Sequence, residues 1–398
     1  MRCGEGILRM RTATRVSRIP RFRENFEVCS KSCQSSFWTL ADPRVHLHGY
    51  PGNYGESTSF PPSEVTTLGE MFAAPGCLNI VGGSEMEIPV IDFQACKLGE
   101  KNPSDEELMD LSQELRKAFT EVGFVYLHNT GITQQEVDEV MEVSEKFFLL
   151  PNDVKMQFQR QANNNHGWIT FESEKLNPSQ PGDLKEAFNT ASLHPDEKWP
   201  SEEILPGFHV AQESFFQRCK DVSLRVLRVM ALSLGLDTDI FLKEHRFIGT
   251  RQNGSTLRAL YYPPVRNITV KQGQLRCGEH SDYGSITLVF QSSQGGLEVK
   301  SRSGDFISAP SIPDTVLINI ADLMQRWTSD IFISAVHRVL LPLPGDVTTR
   351  QSLAFFVQPD DEVVIKCCDG SNKYPPVKAG DYLWERFRYS YGSGSHFM

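Results

Sequence analysis

Apolar residues recur at helical spacing in the first half of the ordered sequence, and local capping patterns mark where the helices begin. Ser-x-x-Glu at Ser104 and Thr-x-x-Glu at Thr133 match the capping box, and an apolar stripe follows each of them. A third stripe predicts a long helix over about 212–234, and the aromatic segment 382–387 predicts a helix near the C-terminus. These stripes indicate helices that pack on a core.

The pattern changes near residue 255, where short runs rich in β-branched and aromatic residues alternate with clusters of Gly, Pro, Asp and Ser. The runs cover residues 257–262, 285–291, 315–320, 335–340 and 352–357. Many short strands separated by turn residues are typical of a β-sandwich or a jelly roll. An earlier run at 88–93 predicts the first strand of the ordered part.

The first 85 residues differ from the rest of the chain. Residues 1–31 carry a net charge of +5, and residues 32–85 are rich in Pro, Gly, Ser and Thr without a sustained period. We therefore expect a flexible, disordered leader over 1–85, a helical and strand region over 86–215, and a jelly-roll core with a C-terminal helix over 216–398. A mitochondrial presequence within the first 31 residues is the alternative, because such segments are rich in Arg and poor in acidic residues.

Composition narrows the possible partners. The chain has 398 residues, and its 50 acidic and 40 basic residues give a formal net charge of −10. This acidic balance argues against nucleic-acid binding. No apolar run reaches the roughly 18 residues that a membrane-spanning helix needs. The nine cysteines contain no Cys-x-x-Cys pair, so we expect no thiolate zinc site and a protein that is reduced and cytoplasmic. Charge and apolar runs together predict that it binds neither nucleic acid nor membrane.

The segment GEHSDYG, residues 278–284, carries the strongest chemical signal. In an extended chain residues i and i+2 point to the same side, so His280 and Asp282 can offer an imidazole nitrogen and a carboxylate oxygen to one point. If the strands pair in a jelly roll, His337 can reach that point from a neighbouring strand. Two His and one carboxylate on one face of a metal form the facial triad of non-haem Fe(II) oxygenases. The alternative for His280 alone is a hydrogen-bonded loop histidine.

A second signal lies at the start of the last β-rich run, where Arg350-Gln-Ser352 places a guanidinium and a hydroxyl on one face. A buried Arg there needs a counter-anion, because an unpaired buried charge costs several kcal/mol. A guanidinium fork suits a carboxylate ligand. An internal salt bridge from Arg350 to an acidic residue is the alternative.

Together these segments resemble the isopenicillin-N-synthase-like branch of the Fe(II)/2-oxoglutarate-dependent dioxygenases. The resemblance covers about residues 87–390 and is carried by IPVIDF, FTEVGFVYLHNTGI, LRALYYPP, GEHSDYGSITLVFQ, GGLEV and the RQS triplet. It implies an α+β fold with a double-stranded β-helix (jelly-roll) core flanked by helices. It also implies that His280, Asp282 and His337 are ligands of Fe(II).

The resemblance further implies how 2-oxoglutarate is held. Arg350 and Ser352 match the residues that bind its distal carboxylate, and Tyr262 matches a family tyrosine near the same end. One departure is Leu260, which stands where plant relatives often have Asn. One hydrogen bond to the keto-acid end is therefore expected to be missing.

The implied activity is hydroxylation or desaturation of a small organic substrate, with dioxygen consumed and succinate and carbon dioxide released. Ascorbate is a candidate reductant. Two alternatives are an iron-dependent oxidase of the same fold that does not use 2-oxoglutarate, and a non-catalytic protein that binds small molecules.

The substrate contacts are the least specified part of the predicted site. The segments around His166, Trp168 and Phe188 resemble a family stretch that lies over the iron, so these three residues are the candidate substrate contacts. Packing at the lip of the barrel is the alternative for Trp168 and Phe188, and a surface position for His166. We expect a monomer.

Overall fold

The computed structural model describes residues 87–100, 103–177 and 179–391. The expected leader, 1–85, lies outside these residues and stays a prediction. The α-helices are α1 (Asp105–Glu121), α2 (Gln134–Phe148), α3 (Asn152–Lys155), α4 (Phe208–Ser233), α5 (Asp322–Trp327) and α6 (Ala379–Tyr391). The strands are β1 (Val90–Asp92), β2 (Phe124–His128), β3 (Gly167–Ile169), β4 (Glu186–Thr190), β5 (Thr256–Tyr262), β6 (Cys277–His280), β7 (Ile286–Gln291), β8 (Leu297–Lys300), β9 (Phe306–Ser308), β10 (Thr315–Ile320), β11 (His337–Val339), β12 (Arg350–Val357), β13 (Val364–Ile365) and β14 (Val377–Lys378).

Both predicted capping boxes are present at the starts of α1 and α2. The Ser104 hydroxyl accepts a hydrogen bond from the backbone N–H of Glu107 at 3.2 Å, and the Glu107 carboxylate accepts one from the backbone N–H of Ser104 at 2.9 Å. Thr133 and Glu136 form the same reciprocal pair ahead of α2. Local side chains therefore satisfy the first backbone donors of both helices, which sets where the helices begin.

Twelve of the strands in the described residues form two facing sheets, and β13 pairs with β14 in a separate two-stranded sheet. Among the described residues, one sheet has eight strands in the order β1-β2-β10-β7-β12-β5-β4-β3, and a smaller sheet has four in the order β6-β11-β8-β9. Leu317 and Ala354 of the larger sheet share a core cluster with Val299 and Val339 of the smaller one. Apolar side chains of both sheets thus meet in the space between them, which confirms the predicted jelly-roll core.

Helices cover the other face of the larger sheet. Leu115 of α1 and Val226 of α4 belong to the same core cluster as Leu288 of β7. Phe216 of α4 packs edge-on against Phe355 of β12, with 5.0 Å between their ring centroids. The larger sheet is therefore covered on both faces, and the space between the two sheets is left for a site.

The expected division after residue 215 does not separate two folded parts. Helix α4 crosses this position, and β4 from the earlier part pairs with β5 from the later part within the larger sheet. The described residues fold as one unit, so we correct that boundary. No helix within the described ranges is long and apolar enough to cross a membrane.

Candidate metal centre

The two imidazoles of the predicted triad lie opposite each other where two strands pair. His280 is the last residue of β6 and His337 is the first of β11, and the antiparallel ladder puts them in register. Asp282 follows just past the end of β6, and its Oδ1 lies 3.7 Å from Nε2 of each histidine. The three candidate ligand atoms lie within 4.8 Å of one another, so they can converge on one metal ion.

Hydrogen bonds set which nitrogen of each imidazole faces the centre. Nδ1 of His280 lies 2.8 Å from the carbonyl oxygen of Gly278, and Nδ1 of His337 lies 3.2 Å from that of Ala335. A carbonyl oxygen only accepts, so each Nδ1 carries the proton and each Nε2 keeps a free lone pair. This neutral tautomer is the form that ligates a metal.

The carboxylate of Asp282 is oriented from a neighbouring strand. Asn319 of β10 donates from Nδ2 to Oδ2 of Asp282 at 2.8 Å, which leaves Oδ1 facing the histidines. Burial acts to raise the pKa of Asp282, but His337, His280 and the hydrogen bond from Asn319 outweigh it, so this pKa is lowered. Burial also lowers the pKa of His337 to about 4. An ionised carboxylate beside a neutral imidazole is the protonation pattern that a divalent metal requires.

A cavity between the sheets connects the triad to the first residues of β12. Arg350 is 1% exposed and Tyr262 is 2% exposed, and they pair directly in the β12–β5 ladder. The Arg350 guanidinium lies 4.9 Å from the centre of the Tyr262 ring, and its Nη1 lies 3.4 Å from Oγ of Ser352. Its Nη2 donates to Oε1 of Gln291 at 2.9 Å. The structure thus brings the three residues expected at one end of 2-oxoglutarate into one wall of this cavity.

Arg350 has no anionic partner in the part of the chain that the structure describes. No carboxylate lies within ion-pair distance of it there, and its buried Nε has no hydrogen-bond partner. The internal salt bridge considered as an alternative is therefore absent from the described residues. A buried guanidinium without an anion is costly, so this end of the cavity suits a ligand that carries a carboxylate.

A second cavity also borders His280 and Asp282. It shares Arg258 and Phe356 with the first cavity, and Leu383 and Phe387 of α6 line it as well. The predicted C-terminal helix thus forms part of the wall of a space next to the candidate metal ligands.

The structure places the three predicted substrate contacts elsewhere. Trp168 of β3 pairs with Phe188 of β4, and both belong to the core between the larger sheet and the helices. The His166 ring lies 5.5 Å from that of Phe188, and its Nε2 lies 3.2 Å from the carbonyl oxygen of Lys198. None of the three lines either cavity. We correct that expectation, because these side chains pack on the helix side of the sheet.

Several residues that line or support the cavities were not among the residues predicted from the sequence. Arg258 could have been found, because two-residue alternation from Tyr262 through Leu260 puts it on the same face of β5. Glu174 gave no signal, since it lies outside any strand or helix and reaches Arg258 only through the fold. Gln291 lines neither cavity but accepts a hydrogen bond from Arg350, and it lies opposite Ser352 through strand register, which the sequence does not reveal.

Two family models match the chain. One is described as the N-terminal region of the non-haem dioxygenase in morphine synthesis and matches residues 88–206. The other is the 2OG-Fe(II) oxygenase superfamily and matches residues 253–359, which include the triad, Arg350 and Ser352.

Curated relatives and solved structures agree with these matches. The 2-oxoglutarate-dependent dioxygenase htyE of Aspergillus rugulosus is 31% identical over 328 residues, which cover 75% of this chain and 95% of the relative. Proline hydroxylase buaE of Petromyces alliaceus is 35% identical over 271 residues, or 64% of this chain and 83% of the relative.

Among solved structures, a full-length Neurospora crassa protein in complex with alpha-KG matches with a TM-score of 0.68 and 32% identity, over 77% of this chain and 97% of that chain. The same Neurospora protein in complex with alpha-KG and thymine matches with a TM-score of 0.67, 32% identity and coverage of 77% and 98%. The chain therefore belongs to the 2OG-Fe(II) oxygenase superfamily and is an Fe(II)- and 2-oxoglutarate-dependent oxygenase.

Proposed function

We propose that His280, Asp282 and His337 hold the Fe(II), that Arg350 binds the distal carboxylate of 2-oxoglutarate, and that a small organic substrate is oxidised in the second cavity. The observation that carries this proposal is the buried Arg350, which has no acidic partner among the described residues. A cation enclosed in this way, in the cavity that also contains the triad, fits a dicarboxylate that reaches from the metal to the guanidinium.

The donor set fits ferrous iron. Two neutral imidazoles and one carboxylate supply three ligands on one side of an ion, which leaves positions open for other ligands. The described residues include no second group of His, Cys, Asp or Glu clustered closely enough to hold a metal. Neutral nitrogen and carboxylate donors without thiolate match the non-haem iron class.

The opposite end of the cavity fits the distal carboxylate. Arg350 presents Nε and two terminal nitrogens, and within the described ranges only the terminal nitrogens have partners, which are the neutral Gln291 and Ser352. Ser352 and Tyr262 place hydroxyl groups beside the guanidinium. A carboxylate here gains charge-assisted hydrogen bonds and neutralises the buried cation at the same time.

When bound, Fe(II) and 2-oxoglutarate supply the oxidising chemistry, in which dioxygen is reduced, 2-oxoglutarate is decarboxylated to succinate and the substrate is oxidised. The chain's own residues bind and orient the reactants. Asn319 holds the carboxylate of Asp282, the carbonyl groups of Gly278 and Ala335 hold the imidazoles, and the apolar side chains of Phe356 and Leu383 limit water near the centre.

The test is an anaerobic calorimetric titration of the apoprotein with Fe(II) and then with 2-oxoglutarate, followed by succinate measurement in air. Wild type should bind both, whereas Arg350→Met should bind Fe(II) but lose 2-oxoglutarate affinity by about 1.5–3 kcal/mol or more. Gln351→Met is the matched control, because Gln351 neighbours Arg350 on β12 and lines neither cavity. Equal 2-oxoglutarate affinity in Arg350→Met and wild type would remove Arg350 from this role.

The same experiment separates the alternative activities. An oxidase that does not use 2-oxoglutarate would bind Fe(II) and turn over without succinate formation. A non-catalytic binding protein would form no succinate under any condition.

A further inference from the structure

One strand contributes a continuous row of side chains to both cavities. Alternate residues of β12, from Arg350 through Ser352 and Ala354 to Phe356, line the cavity that contains the triad. Gln358 is the next residue in this alternation, about 7 Å beyond Phe356, and it lines the second cavity beside His280 and Asp282. The row therefore runs from the anion-binding end, past the metal ligands, into the space that we assign to the substrate.

The carboxamide oxygen of Gln358 has no partner in the described part of the chain. The residue is 4% exposed, and its Oε1 is buried without a hydrogen bond. Both backbone polar groups of Gln358 are hydrogen-bonded, because the N–H donates to Ser255 Oγ at 2.8 Å and the carbonyl oxygen accepts from Asn253 Nδ2 at 2.9 Å. A buried amide oxygen that stays unpaired costs about 1–3 kcal/mol, which a ligand with matching groups would recover.

The space for this carboxamide depends on a glycine. A Cβ on Gly284 would lie 2.2 Å from the backbone carbonyl oxygen of Val357 and 2.6 Å from Oε1 of Gln358, and both distances are closer than such atoms approach. Any larger residue at position 284 would therefore clash with the end of β12 as well as with the carboxamide. Gly284 follows Asp282 by two residues, so the carboxamide is held close to the metal-binding segment.

The charged groups of the second cavity's wall are already paired. The Arg258 guanidinium donates to Glu174 at 3.1 Å and 3.2 Å, to Asn189 at 2.8 Å and to the hydroxyl of Tyr391 at 3.1 Å. The positive and negative charges of Arg258 and Glu174 cancel within the wall. Apart from the candidate metal ligands, the described lining of the cavity thus offers a ligand no free charge.

We propose that Gln358 is a substrate-recognition residue and that the substrate is a neutral compound with a cyclic amide edge, in which an N–H donor lies beside a C=O acceptor. This inference rests on the proposed function. The Gln358 carboxamide presents an acceptor and a donor in one plane, so a lactam-type edge pairs with it through two parallel hydrogen bonds. Phe356, Leu383 and Phe387 supply apolar surface for the rest of a flat molecule.

The test compares 2-pyridone with N-methyl-2-pyridone, which differ only in the N–H donor. Binding of each to the full chain loaded with Fe(II) and 2-oxoglutarate is measured by anaerobic calorimetry. Wild type should bind 2-pyridone at least about tenfold more tightly than its N-methyl analogue, because one hydrogen bond and one amide desolvation distinguish them. This ratio should fall to about one in Gln358→Met and persist in Gln351→Met.

A second variant covers the case in which Gln358→Met does not fold. Gln358→Glu keeps the side-chain shape and an acceptor for the ligand's N–H, but it has no donor for the ligand's C=O, so it should bind both compounds more weakly while the preference for 2-pyridone persists. A ratio near one in wild type, an unchanged ratio in folded Gln358→Met, or an unchanged affinity of Gln358→Glu for 2-pyridone would overturn the inference. Because the affinity for 2-oxoglutarate is measured in each sample first, failure of the proposed function is recognised separately.

Discussion

His337 lies directly opposite His280 in the antiparallel pairing of β11 with β6, and the centroids of the two rings are 4.3 Å apart. Paired strands lie about 4.8 Å apart, so two side chains that lie opposite each other on the same side of a ladder are close together. Strand register therefore brings the two histidine ligands together, and Asp282 joins them from just past the end of β6. A register shift of one residue would turn one imidazole to the opposite face of the sheet.

The first prediction concerns the triad itself. His337→Ala and Asp282→Ala should each abolish iron-dependent turnover, because the remaining two side chains no longer provide three ligands on one side of the ion. Succinate formation and calorimetric Fe(II) binding measure this. His194→Ala, which changes a histidine on a surface loop, should behave as wild type. Unchanged turnover in both triad variants would show that the centre lies elsewhere.

The second prediction concerns the residue that orients Asp282. Asn319 is completely buried, and its Nδ2 donates to Oδ2 of Asp282. Asn319→Ala should leave all three ligands present but weaken Fe(II) binding by about 10–100-fold, because the carboxylate loses the group that fixes its rotation. Calorimetric titration with Fe(II) checks this. If the affinity stays within about twofold of wild type, the hydrogen bond does not orient the ligand.

The third prediction contrasts two buried arginines. Arg258 forms an ion pair with Glu174, so Arg258→Met should leave a buried carboxylate less compensated and destabilise the apoprotein by about 3 kcal/mol. Arg350 forms no ion pair with a described residue, so Arg350→Met should leave the apoprotein as stable as wild type or more stable. Urea unfolding without metal or 2-oxoglutarate measures both. The opposite order of stabilities would contradict the assignment of Arg350 as a cation reserved for a ligand.

Much of the metal centre could be predicted from the sequence because its chemistry is local. His280 and Asp282 are two residues apart, and extended backbone puts such residues on one side. His337 is far from this pair in sequence, and only strand pairing brings it close in space. Its role as the third ligand was therefore predicted from the resemblance to the family. The capping boxes of α1 and α2 were predictable for the same local reason.

The substrate side could not be predicted because its strands carry no alternation signal. Every residue of β4 is buried, since helices cover one face and the space between the sheets lies on the other. Burial on both faces removes the polar residues that would reveal which side chains point inward. Phe188 therefore packs on the helices while Ala187, one residue earlier, belongs to the core between the sheets.

The fourth prediction concerns the stability of the protein at acid pH and rests on His245. Burial lowers the pKa of His245 to about 4, and the neutral ring is held between the carbonyl oxygen of Phe241 at 2.6 Å and Oγ of Ser285 at 2.8 Å. In the unfolded chain a histidine has a pKa near 6.5, so the unfolded state takes up the proton first as the pH falls. The stability that this histidine contributes is therefore complete above about pH 6.5 and is lost progressively toward about pH 4.

His245→Gln should be less stable than wild type at about pH 7, but its free energy of unfolding should fall less steeply as the pH drops. The difference between the two slopes should reach at most the value that corresponds to the uptake of one proton on unfolding. The reason is that glutamine cannot take up a proton in the unfolded chain, so the variant loses this source of acid sensitivity. Urea unfolding at intervals between about pH 7 and about pH 4 measures the two slopes. Parallel curves for the variant and wild type would show that His245 does not contribute to the acid sensitivity.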